Sequence, residues 1–126
     1  MTATPHDFLS IAEELLKGTE EIHLRCAASR AYYAAYHSSL PFHKKLPAGG
    51  SRGSTHAKVI QDYSNFLGDP PELRLTVRKI GILLNQAKSV REIADYELGQ
   101  NFPRKQAEYA IGLVKRIHQE LRDVSI

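Results

Sequence analysis

The sequence predicts an all-α fold, an antiparallel four-helix up-and-down bundle with an additional short helix. Two observations predict it. Apolar residues recur three and four apart through most of the 126 residues, and no run shows the alternation of a strand. A third is composition: 42% hydrophobic and 25% charged residues suit a chain that buries a real core. At this length about two-thirds of the unfolded surface is buried on folding, so residues 1–126 are expected to form a single helical domain.

The first helix is expected over about His6–Lys17, with Phe8, Ile11, Ala12, Leu15 and Leu16 on one face and Gly18 as its stop. The second runs about Thr19–Leu40. Thr19 is its N-cap, Glu20 and Glu21 suit the positive end of the dipole, and Ile22, Cys26, Tyr33 and Leu40 mark its buried stripe. Pro41 ends or kinks it. Three glycines and a proline make a flexible loop of about 46–54. The third helix spans about Ser54–Leu67, with Val59, Ile60, Tyr63 and Leu67 inward. After the Pro70-Pro71 loop, Leu73, Val77, Ile80, Leu84 and Ala87 give the clearest amphipathic stripe, continuing towards Val90, Ile93 and Ala94. A fifth helix starts near Pro103 and buries Ala107, Ala110, Ile111, Val114, Ile117 and Leu121. Short connections favour packing of neighbouring helices as a bundle.

Several function classes are excluded or disfavoured. With one cysteine, Cys26, no disulfide within the chain and no cysteine-rich metal centre can form. Cys26 lies among alanines and reads as a small core residue rather than a reactive thiol. The histidines show no metal-ligand spacing, so neither a metal site nor a cofactor is expected, and no Gly-rich phosphate loop is present. No apolar run approaches the roughly 20 residues of a membrane span, and the start lacks a signal-peptide pattern. A cytoplasmic protein that avoids membranes is expected. The net charge of +3, from 17 basic against 14 acidic residues, allows an anionic partner without charge-dominated nucleic-acid binding.

Chemistry concentrates in Ala28–His37. Seven residues make nearly two helical turns, so Arg30 and His37 fall on one line roughly 10 Å apart, with Tyr33 between. Tyr36 adds a further ring. Such a strip suits RNA: arginine grips a phosphate, histidine moves a proton near neutral pH, and tyrosine stacks on a base. An Ala- and Tyr-rich helix centre equally serves as a helix–helix interface. In a second segment, Arg91 and Asp95 stand four apart and can pair with each other, or Asp95 can turn inward to Arg30. Tyr96 follows directly. In a third, His56 and Lys58 sit near a helix start that favours anions, or in an ordinary solvated first turn.

Together, Ser29–His37, Ser54-Thr55-His56 and Arg91–Tyr96, in this order over about Phe8–Leu121, resemble the small prokaryotic HEPN proteins. The resemblance implies a dimerising helical bundle with a role near RNA. Many HEPN domains are metal-independent endoribonucleases of toxin–antitoxin or phage-defence systems. Some are paired with a nucleotidyltransferase that acts as antitoxin, and others are non-catalytic binding or assembly modules. The nuclease members carry Arg, four to six residues, then His. Here Tyr96 stands where that His would follow Arg91, and the literal match is Arg30 with His37. The expectation is therefore a homodimeric endoribonuclease with Arg30 and His37 catalytic, and Tyr33, Tyr36, His56, Lys58, Arg91, Asp95 and Tyr96 supporting or contacting RNA. The alternative is a non-catalytic module docking a nucleotidyltransferase or other partner. A third reading is an RNA binder that never cuts, with Lys44, Lys45, Arg52 and Lys58 as its basic rim.

Overall fold

The computed structural model describes residues 2–47 and 54–124. These residues hold five helices: α1 (Pro5–Leu16), α2 (Glu21–His43), α3 (Thr55–Ser64), α4 (Pro71–Tyr96) and α5 (Arg104–Val124). Among the described residues there is no strand, and no helix is long and apolar enough to cross a membrane. The loop expected over 46–54 lies, apart from Leu46, Pro47 and Ser54, outside the described residues, and so does Arg52.

Local chemistry explains the helix starts. Thr4 accepts from the Asp7 amide while the Asp7 carboxylate receives the Thr4 amide at 2.7 Å, a reciprocal cap that opens α1 one residue before His6. The N-cap of α2 is Glu20 rather than Thr19. Ser54 caps α3 by accepting from Ala57, as expected. α4 begins at Pro71, where a fixed φ suits the first turn. α2 continues through Pro41 to His43, although that ring brings no amide for the His37 carbonyl. α3 stops at Ser64, three residues early, which leaves Leu67 75% exposed instead of inward.

α2 is the hub, packing against α1, α3, α4 and α5. Its buried residues therefore run around much of its circumference: Leu24, Ala27, Ala28, Ala31, Tyr32, Ala34, Ala35 and Tyr36. The expected stripe is corrected by this. Ile22 is 55% exposed, and Cys26, Tyr33 and Leu40 are only partly buried. Alanines at these positions let four neighbours approach one backbone closely. On α1 the buried pair is Leu9 and Ala12, while Ile11 faces outward. The α4 and α5 stripes are as expected, with Val77, Ile80, Leu84 and Ala87 meeting Ile111, Val114, Ile117 and Leu121 in one core.

Three polar contacts seat α3 on α2. Tyr63 donates to the Ser39 carbonyl at 2.6 Å, His43 pairs with Asp62 at 2.8 Å, and the Tyr32 hydroxyl meets His56 Nδ1 at 2.6 Å. On its other side, α3 approaches α4 at Gly81, where an added Cβ would lie 2.6 Å from the Ser64 backbone nitrogen. The end of α4 is fastened by Arg25. This buried guanidinium donates to the carbonyls of Ile93, Ala94 and Glu97 at 3.1, 2.9 and 3.2 Å, and to that of Gln100. It thereby places α4 beside the start of α2.

Candidate functional site

The Tyr33 ring is the centre of the site. α2 itself supplies Arg30, with its guanidinium carbon 5.0 Å from the ring centroid, and His37, whose ring lies 6.4 Å away. α4 adds Arg91 at 5.8 Å, and the first turn of α3 adds His56 at 5.9 Å, edge to face. Two guanidiniums and two imidazoles from three helices thus surround one phenol. The Arg30/Tyr33/His37 strip is present, and the fold closes it with a second Arg/His pair. Arg30, Tyr33, His37 and His56 are each partly exposed.

Tyr32 and Tyr36, on the inner side, hold the second pair in place. Tyr36 stacks on His56 with centroids 3.9 Å apart and meets the His37 ring at 5.4 Å. Tyr32 stacks on the other pair member, Arg91, at 5.3 Å, while its hydroxyl bonds His56. His37 is stacked from the far side by Phe8 of α1 at 5.3 Å. Cation–π contacts of this kind are worth most when the cation is desolvated. Arg91 is such a cation: 8% exposed, with its Nε buried and lacking an acceptor among the described residues.

Asp95 takes the nearer of its two expected partners. It lies 3.6 Å from Arg91 and accepts from the Ser29 hydroxyl at 3.2 Å. Ser29 in turn accepts from Arg30 at 3.4 Å, so Asp95 reaches Arg30 through that hydroxyl. Tyr96 is 73% exposed, with Arg91 5.9 Å from its ring. Lys58 is exposed on α3 and joins none of these contacts.

Burial sets the protonation states. It lowers the pKa of His56, and the positive charges of Arg91, Lys88 and His37 lower it further. His56 is therefore a neutral imidazole at pH 7. Burial pushes the Tyr32 phenol well above its ordinary value against the opposing pull of Arg91, and raises Tyr36 as well. Both phenols stay protonated. If His56 donates from Nδ1 to Tyr32, its Nε2 lone pair is free to act as a base; the opposite tautomer presents an N–H there instead. The arrangement can hold an anion between Arg30 and Arg91, and can take up or deliver a proton at two imidazoles.

The sequence reading missed Tyr32 and Lys88. Lys88 precedes Arg91 by three residues, a spacing that places both on one face of α4. Tyr32 left no signal of its own, since its role depends on where α3 docks. Among the described residues no group of three or more potential ligands is positioned to hold a metal. No protein-family model, curated protein or solved structure matches this chain.

Proposed function

We propose that the protein is a metal-independent endoribonuclease, in keeping with its resemblance to the HEPN nucleases, and that it acts as a homodimer. One observation carries the reading. Two arginines and two histidines converge on the ring of Tyr33, and Asp95 is the carboxylate paired there. That excess of positive charge suits a phosphodiester, and the neutral imidazole of His56 suits proton removal.

In the reaction a histidine takes the proton of a ribose 2′-hydroxyl. The oxygen attacks phosphorus, the bond to the 5′-oxygen breaks, and a protonated histidine returns a proton to that oxygen. The products are a 2′,3′-cyclic phosphate and a 5′-hydroxyl. Arg30 and Arg91 neutralise the phosphoryl oxygens, Tyr33 offers a surface to a base, and His37 and His56 divide the acid and base roles. Tyr36, expected to contact RNA, is instead buried under His56 and only supports it. General acid–base catalysis of this kind contributes about 10²–10⁴-fold.

The test is incubation of the purified protein with tRNA or mRNA in EDTA, with end-group analysis. Cyclic-phosphate ends are expected, with losses on the order of 10²-fold or more in His37→Ala, His56→Gln and Arg30→Ala. Cleavage unchanged in Arg30→Ala and His37→Ala removes the assignment.

A second reading rests on the covered part of the same cluster. Tyr32, His56 and Arg91 form a joint between α2, α3 and α4, and exposed Tyr96 stands where nuclease relatives carry histidine. In that reading the chain is a non-catalytic assembly module for a partner such as a nucleotidyltransferase. Absence of both cleavage and RNA retention, with the fold intact, favours it.

A further inference from the structure

Away from the Tyr33 cluster, a cleft of about 220 Å³ opens between α1, α2 and α5, lined by His6, Ser38, His118, Leu121 and Arg122. Its polar lining is imidazole, hydroxyl and guanidinium, and no lining residue is a carboxylate. His118 is buried and fixed: its Nε2 lies 2.9 Å from the Ser38 hydroxyl, and His6 meets it edge-on with centroids 5.5 Å apart. Arg122 gives one Nη2 donor to Gln119 at 2.7 Å, out of the five N–H groups a guanidinium carries.

The electrostatics agree with this geometry. Burial lowers the pKa of His118, the Ala34 carbonyl opposes that, and the charges acting on it, His6 and Arg122, both lower it further. The acids beside the lining residues are engaged elsewhere: Asp7 caps its own helix, 2.7 Å from the Thr4 amide, Glu120 pairs with Lys79 at 3.3 Å, and Asp123 accepts from Gln119 at 3.4 Å. His6 stands in the first turn of the twelve-residue α1, where the helix dipole adds positive potential.

The geometry points to a second binding site in this cleft, for a phosphate group. The Arg122 guanidinium from α5 and the exposed His6 imidazole from α1 supply the donors for an oxyanion, with the Ser38–His118 pair as the wall between them, and arginine prefers phosphate for its paired hydrogen bonds. The volume is below the usual range of about 300–1,000 Å³ for organic ligands, so a phosphoryl group fits while an attached base stays outside. The site does not depend on the ribonuclease reading.

The experiment follows the imidazole NMR signals of His6 and His118 in the full chain as inorganic phosphate is added. Saturable shifts of both are expected, with binding weakened about tenfold in Arg122→Gln, the loss of one charge-assisted contact. His6→Gln provides a second variant at an exposed position, should substitutions at buried His118 unfold the chain. Parallel titrations with a trinucleotide carrying a 5′-phosphate and with its 5′-hydroxyl twin separate the sources. Selective binding of the former assigns the site to RNA ends, and binding of phosphate alone assigns it to the free ion. Non-saturating shifts, equal affinity in Arg122→Gln, or acetate binding as tightly as phosphate overturns the proposal.

Discussion

Arg91 keeps its charge almost wholly out of water, with Tyr32, Tyr33 and Tyr96 around it and one nitrogen unclaimed. Desolvating a cation costs several kcal/mol, which aromatic faces and a 3.6 Å carboxylate only partly offset. A stability-driven core would hold an apolar residue of that size here. We therefore expect Arg91→Met to leave the urea midpoint unchanged or raised, while RNA retention falls by about tenfold or more. A lowered midpoint with unchanged retention would make Arg91 a structural residue. A second expectation concerns pH. The folded pKa values of His56 and His118 lie below 6.5, their ordinary value, so the unfolded chain binds more protons just below that point. Stability is then full above about pH 6.5 and declines as pH falls from there through the folded values. Urea midpoints at pH 5.5 and 7.5 should show this drop, and His56→Asn should reduce it. At this scale the sequence was half legible. The seven-residue spacing of Arg30 and His37 displays one helix face, whereas the meeting of Tyr32 with His56 joins residues 24 apart and depends on how α3 docks.

Helix by helix, periodicity located all five elements and failed where a helix has neighbours on several sides. α4 and α5 each bury one stripe, and their apolar spacing displays it. α2 is enclosed, so its alanines are buried and the larger Ile22 is not; weight given to bulky residues pointed to the wrong face. The fastening of α4 by Arg25 left no periodic trace, because its partners are carbonyls. Its loss should still be the most damaging on α2. Arg25→Met is expected to cost about 3 kcal/mol, leaving the carbonyls at the end of α4 without a donor. Thermal denaturation tests this, and a change under 1 kcal/mol would refute the role. At Gly81 α3 lies close against α4, and an added methyl meets the Ser64 hydroxyl and, behind it, the Ser64 backbone, which cannot swing aside. Gly81→Ala should therefore cost about 1–3 kcal/mol despite alanine's better helix propensity, with the α3 contacts to Tyr32 and Ser39 loosened. An unchanged or raised Tm would show that the two helices separate freely.

For the molecule as a whole, a net charge of +3 is too small to hold RNA by bulk attraction. In the ribonuclease reading, binding comes from the cations gathered at Tyr33. If Arg30 and Arg91 engage two phosphates, the logarithm of the RNA binding constant should fall with the logarithm of salt at a slope of about −1.4. A slope beyond about −4 would mean a broad basic surface, with Lys44, Lys45 and Lys58 contributing. Sedimentation at several concentrations tests the expected dimer, which would bring a second Arg30/His37 set to the same RNA.

Pro41 has a mechanical consequence for this arrangement. With no amide to offer, it leaves the carbonyl of residue 37 without its i+4 partner in the helix, at the root of the imidazole that the ribonuclease reading needs. The last turn of α2 thus lacks one rung of its own ladder and is held instead by α3, through Tyr63 on the Ser39 carbonyl and Asp62 on His43. Pro41→Ala should restore that bond, slow hydrogen–deuterium exchange across residues 38–43, and stiffen the backbone beneath His37.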